Sequence, residues 1–134
     1  MATALVHIRV RPGMEARFEQ IAAELHRATH ADEPAVRRYE YWRGAEPGSY
    51  YSLLSFADFL GFIDHQTSAH HVAASPELHE VTESITVEWV DPVQTASPLV
   101  PTDDQPLPTG ASELAAGYHR RFADIVPPWW LPLR

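Results

Sequence analysis

Apolar side chains recur at every second position from residue 4 to residue 10. Val6, Ile8 and Val10 alternate there with polar residues, and this two-residue period is typical of a strand with one buried face. A Pro-Gly pair at residues 12–13 follows, and such a pair interrupts regular structure. The pattern therefore predicts a first strand that ends before this pair.

The next segment changes to a helical period. Met14, Phe18, Ile21 and Leu25 recur at spacings of four, three and four residues, which places them on one face of an α-helix. Charged and polar residues occupy most positions between them, so the opposite face is suited to water. We predict a helix that begins near Met14 and ends before the Asp-Glu-Pro sequence at residues 32–34.

A predicted hairpin and a second helix come next. Residues 35–43 and 49–56 are rich in Tyr, Trp, Leu and other strand formers, and a short Gly/Pro segment joins them. Asp58 is a suitable N-cap for a helix that runs through Phe62 toward His70.

The last predicted elements complete the order of strands and helices of a known fold. Residues 76–83 are expected to add a turn or short helix, and residues 84–90 alternate again and predict the last strand. Strand, helix, strand, strand, helix, strand is the order of the ferredoxin-like α+β fold, a four-stranded antiparallel sheet with two helices on one face. We predict this domain over residues 1–91.

Residues 92–134 differ in composition and predict a C-terminal extension. Its first part favours an extended chain because of its prolines, which are Pro92, Pro98, Pro101, Pro106 and Pro108. A short helical stripe follows, formed by Leu114, Tyr118, Phe122 and Ile125. Because Trp129 and Trp130 near the end are costly to leave in water, we expect the extension to pack on the core or on a partner subunit. Whether it also covers a pocket stays open.

Both faces of the predicted sheet carry aromatic side chains. Tyr39 and Tyr41 share one face of the second strand, whereas Val36 and Trp42 share the other, and the third strand is aromatic on both faces as well. Three or four exposed rings of roughly 150–250 Å² each exceed the apolar patch that a monomer tolerates. We therefore predict a two-fold symmetric homodimer whose sheets pack face to face as an α+β barrel.

Composition excludes several kinds of chemistry. At 134 residues the chain has the size of one domain, and it contains neither Cys nor Lys, which removes disulfides, thiolate nucleophiles, Schiff-base lysines and the phosphate-binding loop. A formal charge of −8 repels phosphate, so we expect no nucleic-acid partner and no membrane surface. Without a long apolar run or a secretory pattern, the chain is expected to be cytoplasmic.

The residues after the hairpin resemble a known family. Phe56 ends a predicted strand, Asp58 begins a helix, and His65 and His70 form a His-x4-His pair near its end. This arrangement is similar to the second-helix signature of the antibiotic biosynthesis monooxygenase family, over about residues 3–91. The resemblance implies a dimeric α+β barrel. In the best-known members this barrel oxidises phenols, quinols or polyketide-derived aromatics with O₂, without metal or flavin.

The chain departs from the family pattern at two points. The quinone-forming branch often places Trp at the end of the third strand, where this chain has Phe56. That branch and the haem-degrading branch also use an Asn, and this chain contains none. Haem degradation is therefore not expected, and the details of quinone-forming catalysis do not transfer.

His70 is the first candidate for a catalytic base. It lies seven residues after Ile63, so an uninterrupted helix would direct it along the apolar face into a pocket, where burial would keep it neutral. His65 lies off that stripe and is the second catalytic candidate, flanking the pocket or the dimer interface. His71 is rotated by about 100° from His70 and is expected at the surface or an interface. A capping or core role for these histidines remains an alternative.

Aromatic residues complete the candidate site. The candidate substrate-binding residues are Trp42, Tyr41, Phe56, Phe62 and His71. The same aromatic rings could equally fill the sheet and the barrel core.

The histidines do not align as a metal site on one helix. Four of them lie close in sequence, namely His65, His70, His71 and His79. Spacings of five and six residues do not share one helical face as i and i+4 do. Ligation would need a break in the helix at residues 67–68, and we predict neither a metal nor another cofactor.

These observations favour a cofactor-independent monooxygenase that oxidises an aromatic small molecule with O₂, with His70 as the base. Two alternatives stay open. The first is an isomerase or cyclase of the same fold, and the second is a non-catalytic dimer that binds a small molecule. The sequence does not identify the substrate.

Overall fold

Four strands and the helices between them form the first part of the chain. The structure, a computed structural model, describes residues 1–93, 100–123 and 128–133. The elements are β1 (Ala2–Val10), α1 (Glu15–Asp32), β2 (Val36–Arg43), β3 (Ser49–Phe56), α2 (Phe59–Thr67), α3 (Ala69–Val81) and β4 (Thr82–Trp89). The extension adds α4 (Glu113–Phe122) and a 3-10 helix at Pro128–Leu133. Pro98 and Ile125, which were assigned to the extended segment and the helical stripe, lie outside the described residues.

The sheet has the predicted topology. The strands pair antiparallel in the order β2-β3-β1-β4, which confirms the ferredoxin-like arrangement. Val6, Ile8 and Val10 of β1 are buried, as their spacing predicted, and form one core with Phe18 and Leu25 of α1. Full burial of such a side chain contributes about 1.5–3 kcal/mol. Among the described residues, no helix combines the length and the apolar character that crossing a bilayer requires.

Two residues, Met14 and Val36, do not lie on the faces that the sequence pattern predicts for them. Met14 is the N-cap residue of α1 and is 43% exposed, so the buried face of the helix begins at Phe18 instead. A register shift lies between Val36 and Arg38 of β2. This irregularity inserts a residue into the strand. Val36 therefore packs against the core, whereas strict alternation predicts that it shares the open face with Trp42.

A break in the second helix is the largest difference from the sequence-based prediction. α2 ends at Thr67 and α3 begins at Ala69. Ser68 between them has an extended backbone, and its hydroxyl oxygen accepts a hydrogen bond from the His71 N–H as the N-cap of α3. The prediction of an uninterrupted helix as far as His70 is therefore wrong. The side chains after the break are directed by a new helix axis.

The extension packs beside β4 and α2. Phe122 of α4 meets Phe62 edge to face with ring centroids 5.1 Å apart, and its carbonyl accepts a hydrogen bond from the Trp89 indole N–H. Thr102 is fully buried, and its hydroxyl oxygen accepts a hydrogen bond from the Thr3 N–H at 3.0 Å. Leu107, Tyr118 and Phe122 therefore join the extension to the core of the first domain, whereas Trp129 in the 3-10 helix is 68% exposed. Packing of this Trp-containing end on a partner subunit stays a prediction.

Candidate functional site

A cavity of about 350 Å³ lies between the helix-covered face of the sheet, α3 and α4. This volume is near the lower end of the range for small-molecule sites. Its strand side is mainly apolar, with Val6, Ile8 and Leu54 among the lining residues. Its polar lining residues include Tyr39, Tyr41, His65, Gln66, His71 and Tyr118. The cavity can therefore enclose an apolar ring and bind polar substituents on it.

His65 is a fully buried histidine on this cavity. Its Nδ1–H donates to the Glu33 carboxylate, with 2.9 Å between Nδ1 and Oε1 and 3.1 Å to Oε2. Its ring packs on those of Tyr39 and Phe56, with centroids 4.9 and 5.2 Å away. A neutral imidazole that donates through Nδ1 keeps Nε2 as a hydrogen-bond acceptor. His65 is therefore held in the tautomer that a general base requires.

Glu33 follows the last turn of α1, and its side chain is only 10% exposed. Burial alone would raise the pKa of the Glu33 carboxyl. Hydrogen bonds and charge interactions with His65 and His70 outweigh that effect and hold this pKa below its ordinary value. The side chain is therefore an ionised carboxylate near neutral pH, which is the form that can stabilise an imidazolium.

His70 contacts Glu33 instead of the cavity. Its Nε2 lies 2.7 Å from Glu33 Oε1, 3.1 Å from Ser68 Oγ and 3.3 Å from Thr29 Oγ1. It is not among the described residues that line the cavity. The expectation that His70 points into the pocket is therefore wrong, because it assumed a continuous helix and the chain instead turns at Ser68.

His71 lines the cavity, so its expected position at the surface or an interface is wrong, while its candidate role in substrate binding stays a prediction. Its ring lies 4.8 Å from that of His65, and its buried Nδ1 has no hydrogen-bond partner among the described residues. Burial, together with the nearby His65, lowers the pKa of His71 to about 4, while a backbone hydrogen bond to Gln66 raises it. His71 is therefore neutral near pH 7. Its Nδ1 is buried away from solvent without a partner, which costs about 1–3 kcal/mol.

The low pKa of His71 is directly measurable. In ¹H–¹⁵N NMR spectra of the imidazole rings, we expect the His71 ring to stay neutral until its midpoint at about pH 4, because protonation would place a charge in a buried site. The exposed His26 of α1, followed in the same spectra, serves as the surface reference. A midpoint for His71 near the ordinary value of about 6.5 would contradict its burial on the cavity.

Tyr41 also lines the cavity, and its candidate role in substrate binding stays a prediction. Its hydroxyl lies 3.1 Å from that of Tyr39. Burial raises the pKa of Tyr41 to about 12, although the hydrogen bond with Tyr39 lowers it. Both tyrosines are therefore protonated near neutral pH. Because one hydroxyl donates to the other, the pair keeps one free O–H that can donate to an anionic ligand.

The other predicted aromatic residues are not brought to this cavity. Phe56 and Phe62 are fully buried in the core and are not among its lining residues. The Phe56 ring instead supports His65 from the sheet side. Trp42 lies on the opposite, open face of the sheet and is 59% exposed. Alternation along β2 predicts this separation, because Trp42 follows Tyr41 directly.

The sequence pattern did not indicate two parts of the site. Glu33 was interpreted only as a helix-end signal beside Pro34, and no local pattern relates it to histidines more than thirty residues away. The second part comes from the extension, which contributes Tyr118, Arg121 and Phe122 to the cavity wall. The sequence does give a signal for Tyr118 and Phe122, because the apolar stripe of α4 predicts that both residues pack against the core.

The chain resembles known proteins in sequence and in structure. Residues 1–77, more than half of the chain, match the family described as antibiotic biosynthesis monooxygenase. No curated protein is similar enough in sequence to be recognised as a relative.

Solved structures with this family's name share the fold. One from Caulobacter crescentus is 23% identical, with a TM-score of 0.66, and the alignment covers 69% of this chain and 90% of that one. One from Nitrosomonas europaea is 15% identical, with a TM-score of 0.65, covering 69% of this chain and 99% of that one. These likenesses support the fold, and the match over residues 1–77 shows the family. The chain therefore belongs to the antibiotic biosynthesis monooxygenase family.

Proposed function

We propose that this protein is a cofactor-independent monooxygenase that oxidises an aromatic small molecule, such as a phenol, a quinol or a polyketide-derived aromatic, with O₂. The observation that carries the proposal is the pair of histidines on one cavity. His65 is held by the Glu33 carboxylate, and His71, whose pKa is lowered by burial, lines the same cavity. The family membership supports the class of reaction.

In this proposal His65 is the general base, in place of His70. Its Nε2 takes a proton from a hydroxyl or an activated C–H group of the substrate, and the Glu33 carboxylate stabilises the imidazolium that forms. His71, neutral on the same cavity, accepts a hydrogen bond from a substrate hydroxyl. The hydrogen-bonded pair of Tyr39 and Tyr41 donates its one free O–H to the developing phenolate or enolate.

The oxidation needs no other reductant. The substrate anion transfers electrons to O₂, a C–O bond forms, and protonation gives a hydroperoxide. Loss of water then leaves a carbonyl group, so that a CH₂ group and O₂ give C=O and H₂O. One oxygen atom enters the product and the other leaves as water. A cavity closed to solvent protects the anion and the hydroperoxide from side reactions.

The extension would act as a wall of the substrate site. Tyr118, Arg121 and Phe122 of α4 line the cavity, although α4 lies outside the residues that match the family. We propose that α4 limits the size of the substrate and restricts water access. It would do so in addition to stabilising the core.

A homodimer is part of the same proposal. The described helices leave the other face of the sheet uncovered, and that open face carries Leu5, Trp42, Tyr51 and Leu53. Trp42 and Tyr51 are 59% and 37% exposed. A second copy of the chain, packed face to face, would cover these side chains and close the barrel.

Oxygen uptake by the full-length protein tests the proposed reaction. With a panel of hydroquinones, naphthols and anthrones in an oxygen electrode, we expect protein-dependent uptake of one O₂ per product, undiminished by EDTA. With ¹⁸O₂, one labelled atom should appear in the product and one in water. Binding without O₂ uptake would favour the non-catalytic dimer, and a rearranged product formed without O₂ would favour an isomerase or cyclase.

A further inference from the structure

The residues behind His65 have the composition of a metal site. We propose that Glu33 Oε1, His65 Nδ1 and His70 Nε2 form a binding site for Zn²⁺ or a chemically similar divalent ion. These three atoms all lie within 4.8 Å of one another, and they form the one such group among the described residues. The break at Ser68 is what brings the two histidines together, although their spacing of five residues does not align them on one helix.

The donor set suits zinc. Two imidazole nitrogens and one carboxylate oxygen are the ligands of many zinc sites in which a fourth position is left for water. Glu33 Oε1 lies 2.9 Å from His65 Nδ1 and 2.7 Å from His70 Nε2. Around a tetrahedral ion with bonds of about 2.0–2.1 Å, neighbouring ligand atoms are roughly 3.3 Å apart, so shifts of roughly 1 Å would place all three around one ion.

Burial and charge favour the same interpretation. The Glu33 and His65 side chains are 10% and 1% exposed, so an ion bound by them would lie in a site of low dielectric, where its attraction to a carboxylate is strong. The His70 side chain is 20% exposed and is the most accessible of the three. The hydroxyl oxygens of Thr29 and Ser68 lie beside His70 Nε2, where they can bind water ligands of the ion.

Metal binding would change what His65 offers to the cavity, and this step rests on the proposed function. A neutral imidazole with a metal at Nδ1 must carry its proton on Nε2. The cavity-side nitrogen would then be a donor and could no longer accept a proton from the substrate. The ion is therefore expected to inhibit the oxygenase and not to serve as its cofactor.

Calorimetric titration of the EDTA-treated, dialysed full-length protein with ZnSO₄ tests the site. We expect one Zn²⁺ per chain, and an intense visible absorption when Co²⁺ replaces it. Because losing an outer-shell partner already costs roughly 10–100-fold, His70→Ala should weaken Zn²⁺ binding by more than about 100-fold. His79→Ala is the matched control, because His79 lies in the same helix, is exposed and is outside the ligand group.

The outcomes separate the metal site from the proposed reaction, because Zn²⁺ binding is measured without substrate. Absence of stoichiometric Zn²⁺ binding, or unchanged affinity in a folded His70→Ala variant, would overturn the site. Stoichiometric binding without any O₂ uptake would support the site and contradict the reaction. If the protein both binds Zn²⁺ and takes up O₂, Zn²⁺ should inhibit the wild-type protein at concentrations that leave the His70→Ala variant active. Equal inhibition of the wild-type protein and the variant would overturn the proposed effect on His65.

Discussion

His65→Gln is expected to lower the rate of substrate-dependent O₂ uptake by about 10²–10⁴-fold, the usual contribution of a general base. Gln fills a similar volume in this fully buried position but cannot take up a proton. Glu33→Gln should also slow the reaction, because the imidazolium of His65 would lose the negative charge that stabilises it. The measurement is kcat in the oxygen electrode with the best substrate of the panel.

Two variants control for indirect effects. His70→Gln is expected to keep the rate within about tenfold, since His70 is not among the described lining residues of the cavity and acts only through Glu33. His30→Gln, on the exposed side of α1, should leave the rate unchanged. If a folded His65→Gln variant keeps full activity while His70→Gln loses it, the base would be the residue that the sequence pattern favoured.

Most of the fold was predictable because it is encoded locally. The alternation in β1 and the helical stripe from Phe18 to Leu25 each specify one buried face. The predicted N-cap is also confirmed, because Asp58 Oδ1 accepts a hydrogen bond from the Gly61 N–H at 2.8 Å. Such signals need only residues a few positions apart, so a single sequence is enough to detect them.

The break between α2 and α3 depends on contacts that are distant in sequence. Thr67 and Ser68 fit either a helix interior or a helix start, so the local sequence permits both. In the structure, His70 is bound by Thr29 and Glu33 of the α1 region, and these contacts exist only after α1 and α3 have packed. Packing therefore selects the broken helix.

The same limit applies to the candidate site. Tyr41, His65 and His71 were identified by residue type and by the family resemblance, and all three line the cavity. The roles of the two histidines could not be assigned, because each role depends on which ring nitrogen is bound and by which group. Glu33, which decides this for His65, is reached only through tertiary packing.

Leu53→Arg is expected to abolish the proposed homodimer. Leu53 lies on the open face of β3, opposite Leu5 of β1 and Glu40 of β2, so face-to-face pairing would bury it. Glu40 already forms an ion pair with Arg38, so the added guanidinium would be buried without a carboxylate of its own. Such a charge costs about 2–5 kcal/mol, which corresponds to a dissociation constant raised by roughly 30–4,000-fold. Light scattering after size-exclusion chromatography at micromolar concentration should show the wild-type chain at twice its monomer mass and the variant at the monomer mass.

Val72→Arg is the matched control for that change, because Val72 is an exposed apolar residue of α3, on the helix side of the sheet. It receives the same charge outside the open face and should leave the dimer intact. A wild-type monomer, or a Leu53→Arg variant that still forms the dimer, would contradict the proposed interface. Because Leu53 points away from the cavity, O₂ uptake by the monomeric variant would then show whether one subunit alone holds a complete site.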